Sequence, residues 1–200
     1  MTATALVTYI VFGLVASVGR SWLQHRRTGD FGFRAFAQPR GAAATIAACL
    51  LAIGATAAPL ALLADLLSWP AGARLLESEL VRAFGLGVML IGGTLVVASQ
   101  VQMGASWRIG VGENERTALV TTGLFSVVRH PIYSGVLVFF VGILMVASNA
   151  IAIVGLPVLV AGLELQVRLI EEPNLLRVHG EDYRSYARRV GRFVPGVGRR

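Results

Sequence analysis

Five runs of mostly apolar residues, at 3–19, 42–69, 81–103, 132–147 and 151–170, alternate with polar stretches that hold most of the charge. A spanning helix needs ~20 such residues, so the pattern predicts an all-α integral membrane bundle of about five transmembrane helices. The first and fourth runs are the shortest. The last two meet at Ser148-Asn149-Ala150, which predicts a tight helical hairpin that returns Arg129 and Glu171 to one side. Beyond them, Leu175, Leu176, Val178, Tyr183, Tyr186 and Val190 recur at roughly helical spacing with Arg and acidic residues between. That spacing predicts a C-terminal amphipathic helix over 173–190, lying along the membrane surface. Pro173 suits the first turn of this helix and disfavours helix at Glu172, which puts a bend at Glu171 and Glu172.

Composition agrees with the pattern. The 200 residues are 55% hydrophobic and 14% charged, with a mean hydropathy of +0.68, too apolar for an ordinary soluble domain. All 18 cationic residues are Arg. With five spans and the N-terminus outside, all of them except Arg74 and Arg82 fall on the inner side, the bias of cytoplasmic loops. This predicts an inner (plasma) membrane protein whose polar motifs face the cytoplasm. The net charge of +7 then matches anionic lipid headgroups and does not call for nucleic acid. The first basic residue, Arg20, follows the first apolar run instead of preceding it, so that run reads as a retained anchor and not a signal peptide. Cys49 is the single cysteine, which excludes an internal disulfide and a multi-cysteine metal site. In the middle of the second run it reads as a small core residue.

The chain is expected to form one membrane domain with two halves, a helical scaffold over 1–103 and a chemical region over 104–196. The scaffold is rich in small residues, Gly41, Ala44, Ala48, Gly85, Gly87, Gly92 and Gly93, which let helices approach closely in lipid. Pro59 and Pro157 should kink their helices where neighbours re-satisfy the freed carbonyls. The polar stretch from 104 to 128 is too long for a simple connector. Its Gly110-Val111-Gly112 lacks the strand and the longer glycine pattern of a nucleotide loop.

Two motifs bring polar chemistry to the ends of apolar runs: RHPIYSG at 129–135 and EEPNLLRVHGEDY at 171–183. An Arg, a His and a Tyr enter one run and two carboxylates leave the next, an arrangement that is costly unless the groups are paired, hydrated or functional. Glu164, Arg168 and Glu172 follow at i, i+4 and i+8 on one helix face. The heptad also reads as a plain helix start with headgroup anchors, and the ladder as a self-neutralising pair.

Taken in order, TALVTTGLFSVVRHPIYSG, two closely spaced apolar helices, EEPNLLRVHGEDYRSYARRV and RFVPG resemble the isoprenylcysteine carboxyl methyltransferase and phospholipid methyltransferase superfamily over about 104–196. The resemblance implies an all-helical membrane enzyme that takes its methyl group from S-adenosylmethionine without a Rossmann domain. It makes Thr117, Ala118, Leu119 and Val120 a backbone wall of the cofactor site. Phe125 stands where the family often has a Tyr. His130, Pro131, Ile132 and Tyr133 match the cofactor-binding stretch, with Arg129 beside them, and Glu171 matches the carboxylate that contacts the cofactor. In prenylcysteine enzymes an Arg four residues before that Glu grips the substrate carboxylate. Here Val167 holds that place, and Arg168 is its neighbour about 100 degrees around the helix.

A cofactor with a sulfonium, an ammonium and a carboxylate needs acidic, basic and aromatic partners. His130 or Arg129 suits its carboxylate, and Glu171 its ammonium or ribose hydroxyls. The expected catalytic residues are Arg168 for an anionic acceptor, with Glu172, His130 and Tyr133 as candidate bases should the acceptor lose a proton. The acceptor is expected to be lipophilic: a prenylcysteine-like carboxylate, a lipid amine, a thiol or a hydroxyl. The chemistry requires no metal, and no ligand spacing suggests one. The alternative is a non-enzymatic structural, binding or transport component that keeps the fold.

Overall fold

The computed structural model describes residues 1–32, 41–70, 78–107 and 118–200. The first apolar run does not stop at residue 19. Helix α1 (Thr2–Gly13) passes through a π-helical segment (Leu14–Gly19) into α2 (Arg20–Thr28). The helix extends because its polar residues find backbone acceptors at the end of the third span. Arg20 donates to Gly104 O at 2.5 Å and Gln24 to Ala105 O at 2.9 Å. Helices α3 (Ala42–Leu66) and α4 (Glu79–Met103) follow, then α5 (Pro131–Val146), α6 (Ala150–Gln166), a π-helical segment (Val167–Glu171) and α7 (Glu172–Arg189).

Among the described residues, four continuous helices are long and apolar enough to cross a membrane, and α5 is a shorter apolar helix of 16 residues. Val7, Leu90 and Val154 are each about 60% exposed on the protein alone, as lipid-facing side chains must be. Among the described residues there is no sheet, only an isolated parallel bridge between Val128 and Gly191.

Glycine contacts join the spans in pairs. A Cβ at Gly142 of α5 would stand 2.6 Å from Gly85 O and Met89 N of α4, and one at Gly54 of α3 would stand 2.6 Å from Leu159 Cα of α6. Backbones this close gain dispersion along their whole length, the main attraction between helices in lipid. Only part of the expected small-residue face takes part: Gly85 and Gly92 are packed, whereas Gly41 and Gly87 have open space around them. Cys49 also departs from expectation. It is exposed on the outer face of α3, because the buried face runs through Ala47, Gly54, Ala58 and Ala61.

Pro59 and Pro157 lie within continuous helices. The carbonyl that Pro59 frees, Ala55 O, accepts the Tyr9 hydroxyl at 3.2 Å. The α5–α6 turn is held by Asn149, whose Oδ1 accepts from Ala152 N at 3.2 Å and whose Nδ2 donates to Ala61 O at 2.9 Å. At the same end of the bundle, Asp65 accepts from Arg82 Nη2 at 3.0 Å and from the Thr2 hydroxyl at 2.5 Å, joining α1, α3 and α4. Arg20, Gly104, His130 and Glu171 gather at the opposite end. Both motifs thus share one side, as the hairpin predicted.

The bend expected at Glu171 and Glu172 is absent. Both residues are helical, inside and just after the π segment, whose wider turn accommodates Pro173. The chain breaks instead at Gly180, with φ 54° and ψ −124°, a backbone conformation that only glycine adopts without strain.

Candidate functional site

RHPIYSG is held in place by the end of the chain. Arg129 N donates to Gly191 O at 2.8 Å and His130 N to Arg192 O at 3.1 Å. Pro131, at the first helical position, has no N–H to satisfy. The Arg129 side chain is buried, and both of its Nη atoms are engaged with the C-terminal segment. Nη1 donates to Ala187 O at 3.1 Å and to Val190 O, and Nη2 donates to Gly198 O at 3.0 Å. A guanidinium on the last carbonyls of α7 satisfies acceptors the helix leaves open and complements its dipole.

Glu172 is the charge that makes this burial possible. Only 3% exposed, it accepts from Arg129 Nη2 at 2.6 Å and from Arg192 Nε and Nη2, both at 3.0 Å. Arg200 Nη1 lies 3.3 Å away. Glu172 stands just past the apolar span, where burial would raise its pKa. The bonds from His130, Arg192 and Arg129 outweigh burial and hold the carboxyl well below the usual range. Burial also disfavours the His130 imidazolium, but Glu171 and Glu172 together raise that pKa above its ordinary value.

Glu171 faces the other way. Its Oε1 accepts the Tyr133 hydroxyl, and its Oε2 lies 3.5 Å from His130 Nδ1. These three side chains open onto a cavity of about 430 Å³. Ala118, Leu119, Val120 and Phe125 form one wall, Arg129, His130, Pro131, Ile132 and Tyr133 the next, and Glu171 a third. Thr117 lies outside the described residues, as does Gly110-Val111-Gly112.

Two of the expected catalytic residues do not line the cavity. Glu172 sits behind it, in the arginine cluster. Arg168 points away, half exposed and paired with Glu164, and the Val167 before it is fully buried in packing.

The cavity has members that sequence reasoning passed over. Tyr183 and Tyr186 of α7 line it, with Asn174 and Leu175 of the preceding turns. Tyr186 donates to Phe125 O at 2.5 Å. The Tyr183 hydroxyl is buried with no hydrogen-bond partner. Its signal was available, since it ends the EEPNLLRVHGEDY motif. The far wall comes largely from the half read as scaffold: Phe12 and Ala16 of the first helix and Gln100 and Met103 of α4, with Trp107 just beyond. The cavity thus crosses the division expected at Met103, with α1 and α4 closing one side of it. No local pattern in those apolar runs marks which residues face a cavity.

The residues fit a zwitterionic, cationic ligand with an aromatic group. The Glu171 carboxylate, with spare lone pairs, and the Tyr183 phenol, which has no hydrogen-bond partner, meet among the faces of Phe125, Tyr133 and Trp107, while His130 Nε2 turns toward Glu172 Oε1 at 3.8 Å. Among the described residues no cluster of His, Cys, Asp and Glu could hold a metal ion.

Comparison with known proteins bears on this geometry. The chain is 33% identical over 116 residues to protein-S-isoprenylcysteine O-methyltransferase B of Arabidopsis thaliana, a match covering 57% of this chain and 59% of that protein. It is 33% identical over 93 residues to methanethiol S-methyltransferase of Crocosphaera subtropica, covering 44% of this chain and 34% of the relative. The chain thus spans about three fifths or less of these relatives' lengths. The solved eukaryotic intramembrane Ras methyltransferase ICMT has the same fold over 74% of this chain and 52% of its own, with a TM-score of 0.58 at 22% identity. The phospholipid methyltransferase family model matches residues 80–182, from α4 through both motifs to the Tyr-lined turn of α7. With more than half its length matched and the motif residues drawn into one cavity, this chain belongs to the phospholipid methyltransferase family.

Proposed function

We propose that this chain is an S-adenosylmethionine-dependent methyltransferase of the membrane, which transfers the methyl group to a lipophilic acceptor. The observation that carries the reading is the convergence of Glu171, His130, Tyr133 and Tyr183 on one cavity whose remaining lining is largely apolar. When bound, S-adenosylmethionine supplies an activated methyl on sulfur. Glu171 would hold its ammonium or ribose hydroxyls and His130 its carboxylate. Phe125 and the tyrosine rings would pack on adenine or sulfonium, where a cation is attracted to an aromatic face. Ala118, Leu119 and Val120 would offer backbone groups.

The residues of this chain orient two reactants and keep water away. Holding nucleophile and methyl in line accounts for much of such a rate enhancement, and the apolar side chains of Phe12, Ala16 and Val96 line the cavity. Arg129 and Glu172 serve by positioning: together they fix the start of α5, and with it His130 and Tyr133. The Arg distribution orients this end of the bundle toward the cytoplasm of the plasma membrane, where cofactor is available, while the acceptor arrives from the bilayer.

The test is binding of S-adenosylmethionine and S-adenosylhomocysteine to purified protein in detergent and in nanodiscs, measured by calorimetry. Glu171→Gln should weaken binding by about 1.5–3 kcal/mol, the scale of a charge-assisted hydrogen bond, with folded protein retained. Absence of binding by folded wild type in both media would refute the reading. The protein would then be a non-enzymatic membrane component.

A further inference from the structure

Between Tyr183 and Arg200 every charged residue is an arginine, and these side chains divide into two sets. Arg192 turns inward to Glu172, and Arg184 and Arg188 are engaged with Glu181. Arg189 and Arg199 are exposed and have no carboxylate partner among the described residues. Arg200 lies 3.3 Å from Glu172, but its side chain is half exposed. Among these arginines stand Val194 and Val197, 55% and 62% exposed. An outward face of valines and unpaired arginines matches the boundary between acyl chains and headgroups.

The depth of this face in the membrane follows from α5. At 16 residues, α5 is ~24 Å long, shorter than the ~30 Å hydrocarbon core, so its first turn lies at the boundary. The C-terminal turn is bonded to that first turn. Ser134 Oγ donates to Phe193 O at 2.7 Å and His130 N to Arg192 O at 3.1 Å. Residues 190–200 therefore sit at headgroup depth.

The inner face of the same turn supports the cavity. Phe193 meets the His130 and Tyr133 rings edge to face, with centroids 6.0 and 6.3 Å apart, and Gly198 O accepts from Arg129 Nη2 at 3.0 Å. Within the turn, Arg192 N donates to Val197 O at 2.7 Å and Val197 N to Val194 O at 3.1 Å. Val194, Pro195 and Val197 are all exposed. A segment with so few buried apolar contacts belongs to the low-stability end of a structure. Whatever grips its outer face bears on His130 and Tyr133 behind it.

We infer that Arg189 and the turn over residues 190–200 form a docking surface for anionic phospholipid headgroups in the leaflet at this end of the bundle, and that docking raises the affinity of the cavity for its cofactor. The coupling rests on the methyltransferase reading, whereas the docking stands without it. Arg189, Arg199 and Arg200 meet lipid phosphates, and Val194 and Val197 enter the upper acyl chains.

The experiment measures S-adenosylhomocysteine affinity by calorimetry in nanodiscs of phosphatidylcholine, with and without phosphatidylglycerol. Wild type is compared with Arg189→Gln/Arg199→Gln, with Val194→Ser/Val197→Ser and with a control on exposed arginines of α2, Arg26→Gln/Arg27→Gln. Wild type should bind about tenfold more tightly in the anionic membrane. The Arg189/Arg199 variant should lose most of that gain and the valine variant part of it, both keeping wild-type affinity in phosphatidylcholine alone. The Arg26/Arg27 control should keep the gain. Equal wild-type affinity in the two membranes overturns the inference whether or not the variants fold. So does an equal loss in the control, which would make the effect one of general surface charge.

Docking is read separately from cofactor with an environment-sensitive dye on Val197→Cys in a Cys49→Ala background. Phospholipid spin-labelled near its headgroup should quench the dye, more strongly with phosphatidylglycerol present. An unquenched, water-exposed dye overturns the docking and leaves the face to a soluble protein partner. Quenching without any S-adenosylhomocysteine binding by folded wild type would keep the docking surface and refute the methyltransferase reading, and with it the coupling.

Discussion

Replacing Glu172 by Gln isolates the arginine cluster behind the cavity. The carboxylate accepts three hydrogen bonds of 3.0 Å or less from Arg129 and Arg192, whose side chains are 1% and 5% exposed. Gln keeps the shape and one acceptor oxygen, but it removes the charge and turns an NH₂ group toward two cations. Removing one member of a buried pair typically costs ~3–5 kcal/mol, because the partner stays buried and uncompensated. The bond from Arg200 adds little, since that guanidinium is 54% exposed and screened by solvent. Glu172→Gln should therefore lose about 3–5 kcal/mol in denaturant unfolding in detergent, and S-adenosylhomocysteine affinity should fall as Arg129 and His130 lose their anchor. The pH dependence is a second readout. A carboxyl whose folded pKa is depressed contributes stability that is complete above its unfolded value of about 4.3 and is lost as pH falls toward the folded value. Wild type should lose stability on acidification below about pH 4.5, and the variant should show a shallower acid limb. A loss under 1 kcal/mol with an unchanged acid limb would refute the view that Glu172 is what allows these arginines to be buried.

Tyr183→Phe removes a hydroxyl that has no protein partner, so the unfolding midpoint should hold or rise while S-adenosylhomocysteine affinity drops by about 0.5–1.5 kcal/mol. A destabilised variant with full affinity would show that the hydroxyl serves the fold. Gly142→Ala places a methyl 2.6 Å from the α4 backbone and should cost about 1–3 kcal/mol by overpacking, measured by thermal unfolding; an unchanged midpoint would mean that α4 and α5 are not in close contact. Arg168→Ala removes an exposed partner of Glu164 and should change stability and ligand affinity by no more than about 0.5 kcal/mol. A larger loss of acceptor affinity would return Arg168 to the site.

Local patterns wrote much of this protein legibly. Twenty apolar residues in lipid have no other way to satisfy their backbone than to form a helix, so the spans, the α5–α6 hairpin and the common side of the two motifs follow from the order of residues. His130, Tyr133 and Glu171 stood out because polar groups at the ends of apolar runs are costly and rarely incidental. Other features depend on distant neighbours. Arg20 and Gln24 prolong the first helix because α4 ends beside them, and the π segment lets Pro173 continue a helix that its own preferences would bend. Glu171 and Glu172 are adjacent and chemically identical, yet one opens onto the cavity and the other is buried among arginines. A wide helical turn and a chain end folding back from Val190 to Arg200 separate them. Periodicity told that Phe12, Ala16 and Gln100 lie on helices, but not that their faces meet around one cavity, because which apolar face meets a partner and which meets lipid is decided by the packing of the whole bundle.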